Sequence, residues 1–117
     1  MAAAKQNIRI EQGATFRLSL QWIANMTPVN LLGFQARMQI RSEVASQSII
    51  HELTTMNGGI LFKDENNGQI ELFISHVQTA SFEFISAVYD LELHAPNGDV
   101  TRLLEGKATL SLEVTRD

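Results

Sequence analysis

The sequence predicts an all-β protein, an immunoglobulin-like antiparallel β-sandwich of about eight short strands with one short helical turn. In short stretches along most of the chain, apolar and polar residues alternate, as they do in strands that bury one face. Turn-forming residues such as Asn57-Gly58-Gly59 and Pro96-Asn97-Gly98 separate these stretches. Helical spacing of apolar residues is confined to residues 75–84. Many short strands divided by turns are typical of a sandwich or a small barrel.

In the first half of the chain the alternation predicts three strands. Ile8 and Ile10 alternate with polar residues in a short strand that Gly13 ends. Residues 16–22 and 34–41 form two longer strands, separated by a loop that contains Thr27-Pro28. Each of these strands has one apolar face, which is expected to lie in the core.

The second half adds short strands at residues 49–53, 60–62 and 70–74. Ser75 is then expected to cap the helical turn, because a serine side chain accepts from free N–H groups at a helix start. A closing meander follows, with strands at residues 88–93, 100–106 and 107–114 and a turn at each junction. Alternation within the meander puts Tyr89, Leu91 and Leu93 on its inner face.

Length and composition indicate a single domain. Of the 117 residues, 44% are hydrophobic and 19% are charged, which is ordinary for a globular chain. Residues 1–6 are expected to form a flexible N-terminal arm, and residues 7–117 a single β-sandwich domain. The net charge of −4 and the scattered basic residues argue against nucleic-acid binding. No apolar run is long enough to span a bilayer, and no secretion signal is present, so synthesis in the cytoplasm is expected.

None of the polar clusters has the spacing of a catalytic or metal site. Residues 64–68 resemble a calcium loop in composition, but their glycine is in the fifth position, and the twelfth residue is Ser75, not glutamate. A solvated turn is therefore the better interpretation. The three histidines lie on three different elements, and none has a second ligand at metal-binding spacing on its own element: His51, His76 and His94.

Asp90 and Glu92 share one face of a strand, which is the arrangement of paired carboxylates in acid–base catalysis. The solvated face of a half-buried strand carries charge as well, and no nucleophile or metal ligand accompanies this pair. Cysteine is absent, and no phosphate-binding glycine loop or serine elbow occurs. The sequence thus predicts a protein that is not an enzyme and holds no cofactor.

The closing hairpin presents a candidate protein interface. With Pro96-Asn97-Gly98 as its loop, Glu92 faces Arg102 and Leu91 faces Leu103. Leu104 then lies on the outer face together with Val100 and Arg102, as an apolar patch around an arginine. A β-bulge near Leu104 that turns both leucines inward is the alternative, and the sequence leaves both interpretations open.

Phe73 adds a further candidate contact. It points away from the apolar face formed by Ile70, Leu72 and Ile74. Either this strand is covered on both sides, or Phe73 contacts a partner. The candidate partner interface predicted from the sequence therefore consists of Val100, Arg102, Leu104 and Phe73.

Three stretches, in this order, give the chain a family resemblance. They are IRIEQGATF at residues 8–16, LLGFQARMQIR at residues 31–41, and YDLEL at residues 89–93 followed by Pro96, Gly98 and VTRLLEG at residues 100–106. Together they resemble small β-sandwich structural proteins of tailed bacteriophages and prophages, some of them associated with the tail or baseplate. Residues 77–84 depart from that pattern, because they are more aromatic than the alanine-rich turn of the family.

The resemblance implies a non-enzymatic virion protein that is made in the host cytoplasm. As a tail or baseplate connector, or an adaptor for a fibre, it would contact other virion proteins in multiple copies, but neither nucleic acid nor a membrane. A head decoration or neck protein is the alternative within the same class. In another class the alternative is a carbohydrate-binding module, since sandwiches with exposed aromatic residues often bind sugars.

Overall fold

Two β-sheets that share one apolar core make up most of the protein in the computed structural model, which describes residues 3–116. The all-β, sandwich-like fold is as predicted. The described residues contain eleven strands, more than the expected eight or so. The elements are β1 (Ala4–Lys5), β2 (Ile8–Glu11), β3 (Phe16–Gln21), β4 (Ile23–Ala24), β5 (Thr27–Pro28), β6 (Gln35–Arg41), β7 (His51–Thr54), β8 (Ile60–Asp64), β9 (Gln69–Ile74), α1 (His76–Ala80), β10 (Ser86–His94) and β11 (Val100–Ser111).

The larger sheet has the order β1-β11-β10-β6-β7, and β2 pairs with β11 beyond β1. Within this sheet β11 pairs with β10, β10 with β6 and β6 with β7, and each pair is antiparallel, as predicted. In contrast, β1 and β2 run parallel to β11, so the sheet is mixed. The N-terminal segment follows the free edge of β11 in the same direction, and it satisfies backbone groups that would otherwise face water.

The smaller sheet has the order β3-β9-β8 and is antiparallel throughout. A separate two-stranded hairpin, β4–β5, follows β3. A 3-10 turn at Glu65–Asn67 joins β8 to β9, and Gly68 ends it at φ +67°, a conformation that favours glycine. The acidic segment at residues 64–68 is thus the strand connection expected from its composition.

The inner faces of the two sheets form the core. Along β10 every second residue is buried, from Ala87 to Leu93, which is the predicted alternation. Both sheets and the loop before β6 contribute large side chains with essentially no exposed surface: Ile10, Leu31, Met38, Ile40, Leu53, Ile70, Leu72, Ile74, Leu91 and Leu93. Trp22 and Phe34 pack edge to face at the margin of this core, with ring centres 5.9 Å apart.

The predicted helical turn is α1, and its cap is the predicted one. The Ser75 hydroxyl accepts a hydrogen bond from the N–H of Gln78. Thr79 of α1 is fully buried, although its side chain is polar. Its hydroxyl donates to the carbonyl oxygen of Ala14 at 2.9 Å and accepts from the N–H of Gly13 at 3.0 Å. α1 therefore anchors the loop that carries the chain from one sheet to the other.

The turn predicted at Gly106 does not exist, because β11 continues without interruption from Val100 to Ser111. The backbone of Gln6 runs close beside Gly106, and a Cβ atom at this position would collide with the Gln6 carbonyl group. This glycine is therefore required by a close approach of two backbones within the sheet and does not mark a bend.

The segment expected to be a flexible arm contributes a strand to the sheet. β1 pairs with Leu104 and Glu105, and the N–H of Gln6 donates to the carbonyl oxygen of Glu105 at 2.9 Å. The Tyr89 hydroxyl donates to the carbonyl oxygen of Gln6 at 2.6 Å. Two hydrogen bonds and a strand pairing thus fix residues 4–6 against the domain, while Met1 and Ala2 lie outside the described residues.

Candidate binding surfaces

The β10–β11 hairpin resolves the two interpretations of Leu104. Glu92 faces Arg102 and Leu93 faces Thr101, as predicted, but the register then shifts, and Leu91 faces Leu104. Leu103 is the extra residue of a β-bulge. Leu104 is consequently 6% exposed and belongs to the core, and Leu103 packs against the core as well. Of the two interpretations that the sequence left open, the bulge is therefore correct, and the place of Leu104 on the outer face is wrong.

The four residues of the predicted interface do not form one surface. Val100 and Arg102 are exposed on the outer face of the larger sheet, whereas Leu104 is in the core. Phe73 is half-buried on the outer face of the smaller sheet, where the guanidinium carbon of Arg17 lies 4.8 Å from its ring centre. Phe73 is thus partly covered by its own chain, through a cation–π contact.

The outer face of the larger sheet carries a charged groove of about 420 Å³. Its side chains form three rows across β6, β10 and β11: Arg37–Glu92–Arg102, Gln39–Asp90–Glu105 and Arg41–Val88–Lys107. Five basic and three acidic side chains line the groove, although the whole protein is acidic. The middle row is acidic and the outer rows carry most of the basic groups, so this surface is suited to a polar partner.

Arg102 holds two neighbouring carboxylates together in this groove. Its guanidinium lies 3.4 Å from Asp90 and 3.3 Å from Glu105, which face each other across the strands. Burial raises the pKa of Asp90, and the negative charge of Glu92 raises it further. Hydrogen bonds from Lys5 and Arg102 lower the pKa of Glu105. Asp90 is therefore the carboxyl group in the groove whose charge the fold disfavours.

Asp90→Asn is expected to make the protein slightly more stable at pH 7, by at most about 0.5 kcal/mol because the side chain is partly exposed. The folded protein binds a proton at Asp90 more tightly than the unfolded chain does, so the contribution of Asp90 to stability falls as pH rises through its raised pKa. The gain should vanish below about pH 3.8, the ordinary pKa of the group. Urea titrations of both proteins from pH 3 to 8 measure it, with the exposed Glu83→Gln as control. A variant that is less stable at pH 7 would show that the contact with Arg102 outweighs burial.

A second surface feature is the exposed apolar tip of the β4–β5 hairpin. Asn25 and Met26 form the turn, with φ of +53° and +65°, in the left-handed region that non-glycine residues rarely adopt. Met26 is 97% exposed, and Ile23 on the same hairpin is 53% exposed. The sequence pattern does not reveal this hairpin, because the turn lacks a glycine. The asparagine before Met26 was the available signal, since asparagine tolerates positive φ.

The histidines do not come together as a metal site. His94 lies 3.3 Å from Glu92, His51 packs against the Phe82 ring, and His76 begins α1. Burial lowers the pKa of His51. Within residues 3–116 no group of three or more histidine, aspartate or glutamate side chains is placed to hold a metal ion. None of the helices described is long and apolar enough to cross a membrane.

The aromatic side chains do not form a platform of the kind that the carbohydrate-binding alternative requires. The large apolar side chains that are exposed in the described part of the chain are aliphatic or methionine. Tyr89 borders the groove, but it is 4% exposed and its hydroxyl is bonded to Gln6. His51, Phe82 and Phe84 line an open pocket of about 450 Å³ beside α1, but Phe82 is 5% exposed, so its ring is not presented as a stacking surface.

Comparisons with known proteins support the fold and leave the family open. No family model matches the chain, and no curated protein matches it. The structure is similar to the N-terminal domain of phage TP901-1 ORF48, at 13% identity over 92% of this chain and 85% of that one, with a TM-score of 0.52. It is also similar to CopC from Methylosinus trichosporium OB3b, at 10% identity over 98% of this chain and 91% of that one, with a TM-score of 0.50. At these identities the likeness establishes a shared fold.

Proposed function

We propose that this chain is a non-enzymatic structural protein of a tailed-phage particle, a tail or baseplate connector or fibre adaptor that works through protein contacts. The ordered resemblance to phage β-sandwich proteins supports it, as does the likeness of nearly the whole fold to a phage protein domain. The fold alone is not specific to phages, since CopC has it too. The proposal therefore depends on a surface feature as well.

The feature that carries it is the tip of the β4–β5 hairpin. A left-handed conformation at a non-glycine residue costs about 1–2 kcal/mol. Met26 adopts it while its side chain is 97% exposed, so the isolated chain gains no burial in return. Methionine adapts its shape to irregular apolar pockets. The hairpin thus presents a flexible apolar group at a fixed position, as a contact for another virion protein.

Met26→Gly is expected to separate binding from stability. Glycine adopts positive φ without strain, so the isolated domain should keep its stability or gain up to about 1 kcal/mol. The side chain that enters the partner is lost, so fewer copies of the variant should enter particles. Chemical unfolding measures the first effect, and quantitative mass spectrometry of purified particles the second. Met56→Gly is the matched control, because Met56 is 83% exposed in another loop.

If incorporation of Met26→Gly matched that of the wild type and of Met56→Gly, the hairpin would not be the contact. If Met26→Gly unfolded the domain, the side chain would have a structural role that its exposure does not indicate. A normally folded variant that fails to enter particles supports the proposal.

The wider proposal is tested on particles of the phage or prophage that encodes the chain. Gradient-purified particles should contain the chain at a fixed ratio to other virion proteins, in more than one copy. After heads and tails are separated, the chain should stay with the tails. Recovery with the heads would favour the decoration or neck alternative, and absence from particles would refute a virion role.

A further inference from the structure

Strand β3 has an open backbone edge. It pairs with β9 on one side, and among residues 3–116 no strand pairs with its other side. In an antiparallel pair every second residue directs its N–H and C=O groups away from its neighbour. These groups on β3 are therefore available to a further strand, and the smaller sheet, which has three strands, could be extended from this side.

The apolar side chains of β3 are also incompletely covered. Phe16, Leu18 and Leu20 point inward but are half-buried, whereas the facing residues of β9 are fully buried. A gap of about 350 Å³ lies between β2 and β3, with Phe16 and Leu18 in its wall. A strand added beside β3 would complete its hydrogen bonds and cover these side chains at the same time.

The other edges of the two sheets are protected, and β3 is not. Proteins blunt free edges with bulges, charges or short strands, because open edges pair with other chains. β8 contains a register shift near Phe62 and carries Lys63. β2 is four residues long with exposed Arg9 and Glu11, and β7 is also four residues long. β3 has six residues without proline or a bulge, and Arg17 is its one charged residue.

We propose that β3 pairs antiparallel with β3 of a second copy of this chain, joining two smaller sheets into one of six strands. A two-fold axis perpendicular to the sheet relates the two copies. The inner faces of both copies then lie on the same side of the joined sheet, so an inward-pointing residue of one β3 must pair with an inward-pointing residue of the other. With Leu18 on the axis, Phe16 faces Leu20 of the second copy. With Ser19 on the axis, Leu18 faces Leu20. In both registers apolar side chains meet apolar side chains.

The charges along β3 are compatible with pairing to β3 of a second copy. Arg17 faces Ser19 in the first register and Gln21 in the second, so no like charges oppose each other in the pairing. Arg17 is already balanced within its own copy, by Glu71 at 3.4 Å and the Phe73 ring. The acidic groups that give the chain its net charge of −4 do not lie on this strand.

Ser19→Lys tests the pairing. Ser19 is exposed and faces Glu71 on β9, so the substitution places an ammonium group beside a carboxylate in its own copy, and the fold should be preserved. In the dimer the introduced side chain would face either Arg17 of the second copy or its own counterpart there. Repulsion at one or two places should raise the dissociation constant about tenfold. Gln35→Lys is the matched control, because it adds the same charge at an exposed position of the larger sheet.

Sedimentation equilibrium of the purified chain measures the association. We expect the wild type and Gln35→Lys to reach twice the 13.0 kDa mass of the chain as concentration rises, and Ser19→Lys to do so only at about tenfold higher concentration. A wild type that is monomeric up to about 1 mM, the weak end of specific association, would overturn the proposal. So would a dimer that Ser19→Lys leaves unchanged.

Amide hydrogen exchange of the wild type gives a second readout that requires no variant. Alternate residues of β3 should exchange more slowly at high protein concentration, as the second strand occupies their outward N–H groups. Exchange in β3 that does not depend on concentration, in a sample that dimerises, would place the interface elsewhere and refute the pairing.

Discussion

Replacing Leu104 with Asp is expected to unfold the protein. Leu104 is 6% exposed and faces the fully buried Leu91 across the strands, so the substitution would bury a carboxylate among apolar side chains without a partner. Leu104→Ala and Leu91→Ala should each lower the free energy of unfolding by about 2–5 kcal/mol, through lost burial and the cavity left behind. Since small domains are stable by only about 5–15 kcal/mol, each alanine variant should be visibly weakened.

Urea unfolding followed by the fluorescence of Trp22 measures these effects. The control is Val100→Asp, on the same strand, where the side chain is 53% exposed and the change should stay within about 0.5 kcal/mol. If Leu104→Asp folded with wild-type stability, Leu104 would lie on the outer face after all, and the bulge at Leu103 would be incorrect.

Gly106→Ala is expected to destabilise the protein by about 1–3 kcal/mol, the usual cost of adding a methyl group where space is lacking. Alanine is normally preferred to glycine within a strand, so the expected sign is the reverse of the intrinsic preference. The added Cβ would collide with the carbonyl group of Gln6. Gln6 would have to move, and the Tyr89 hydroxyl would lose the carbonyl oxygen to which it donates.

A double-mutant cycle attributes this cost to the N-terminal segment. In a chain that lacks residues 1–6 the carbonyl group of Gln6 is gone and the Asn7 side chain, 3.1 Å from the added Cβ, is the remaining close neighbour, so Gly106→Ala should cost much less than in the full chain. Chemical unfolding of the four proteins gives the coupling. An equal cost in the full and the shortened chain would show that the strain arises within β11 and not from contact with Gln6.

Much of the fold could be predicted from the pattern of residues along the chain. Alternation along residues 16–22, 34–41 and 88–93 predicted the strands and their buried faces, because burial of one strand face imposes a period of two on the sequence. Ser75 predicted the start of α1, because its hydroxyl accepts a hydrogen bond from the N–H of Gln78, only three residues away. The β4–β5 hairpin was missed because methionine is not a typical turn residue and no glycine accompanies Asn25 in the turn.

Of the candidate interface, Val100 and Arg102 were placed correctly on the outer face, and Leu104 was not. The hairpin loop predicted the register as far as Glu92 and Arg102, but one extra residue at Leu103 reversed the faces beyond that point. Leu103 and Leu104 are adjacent and equally apolar, so alternation could not show which of them points inward or where the extra residue lies. The edge of β3 could not be recognised either, because its neighbours in the sheet are distant in sequence.

The amino-acid sequence by itself determined the class of the fold, most of its strands and the apolar faces that meet in the core. These follow from local patterns, in which each residue responds to neighbours one or two positions away. Tertiary structure alone decided that the N-terminal segment joins the sheet, that Gln6 approaches Gly106 closely, that Leu104 is in the core, and which edge remains open. Each of these depends on contacts between residues far apart in the chain, and such contacts leave no periodic signal.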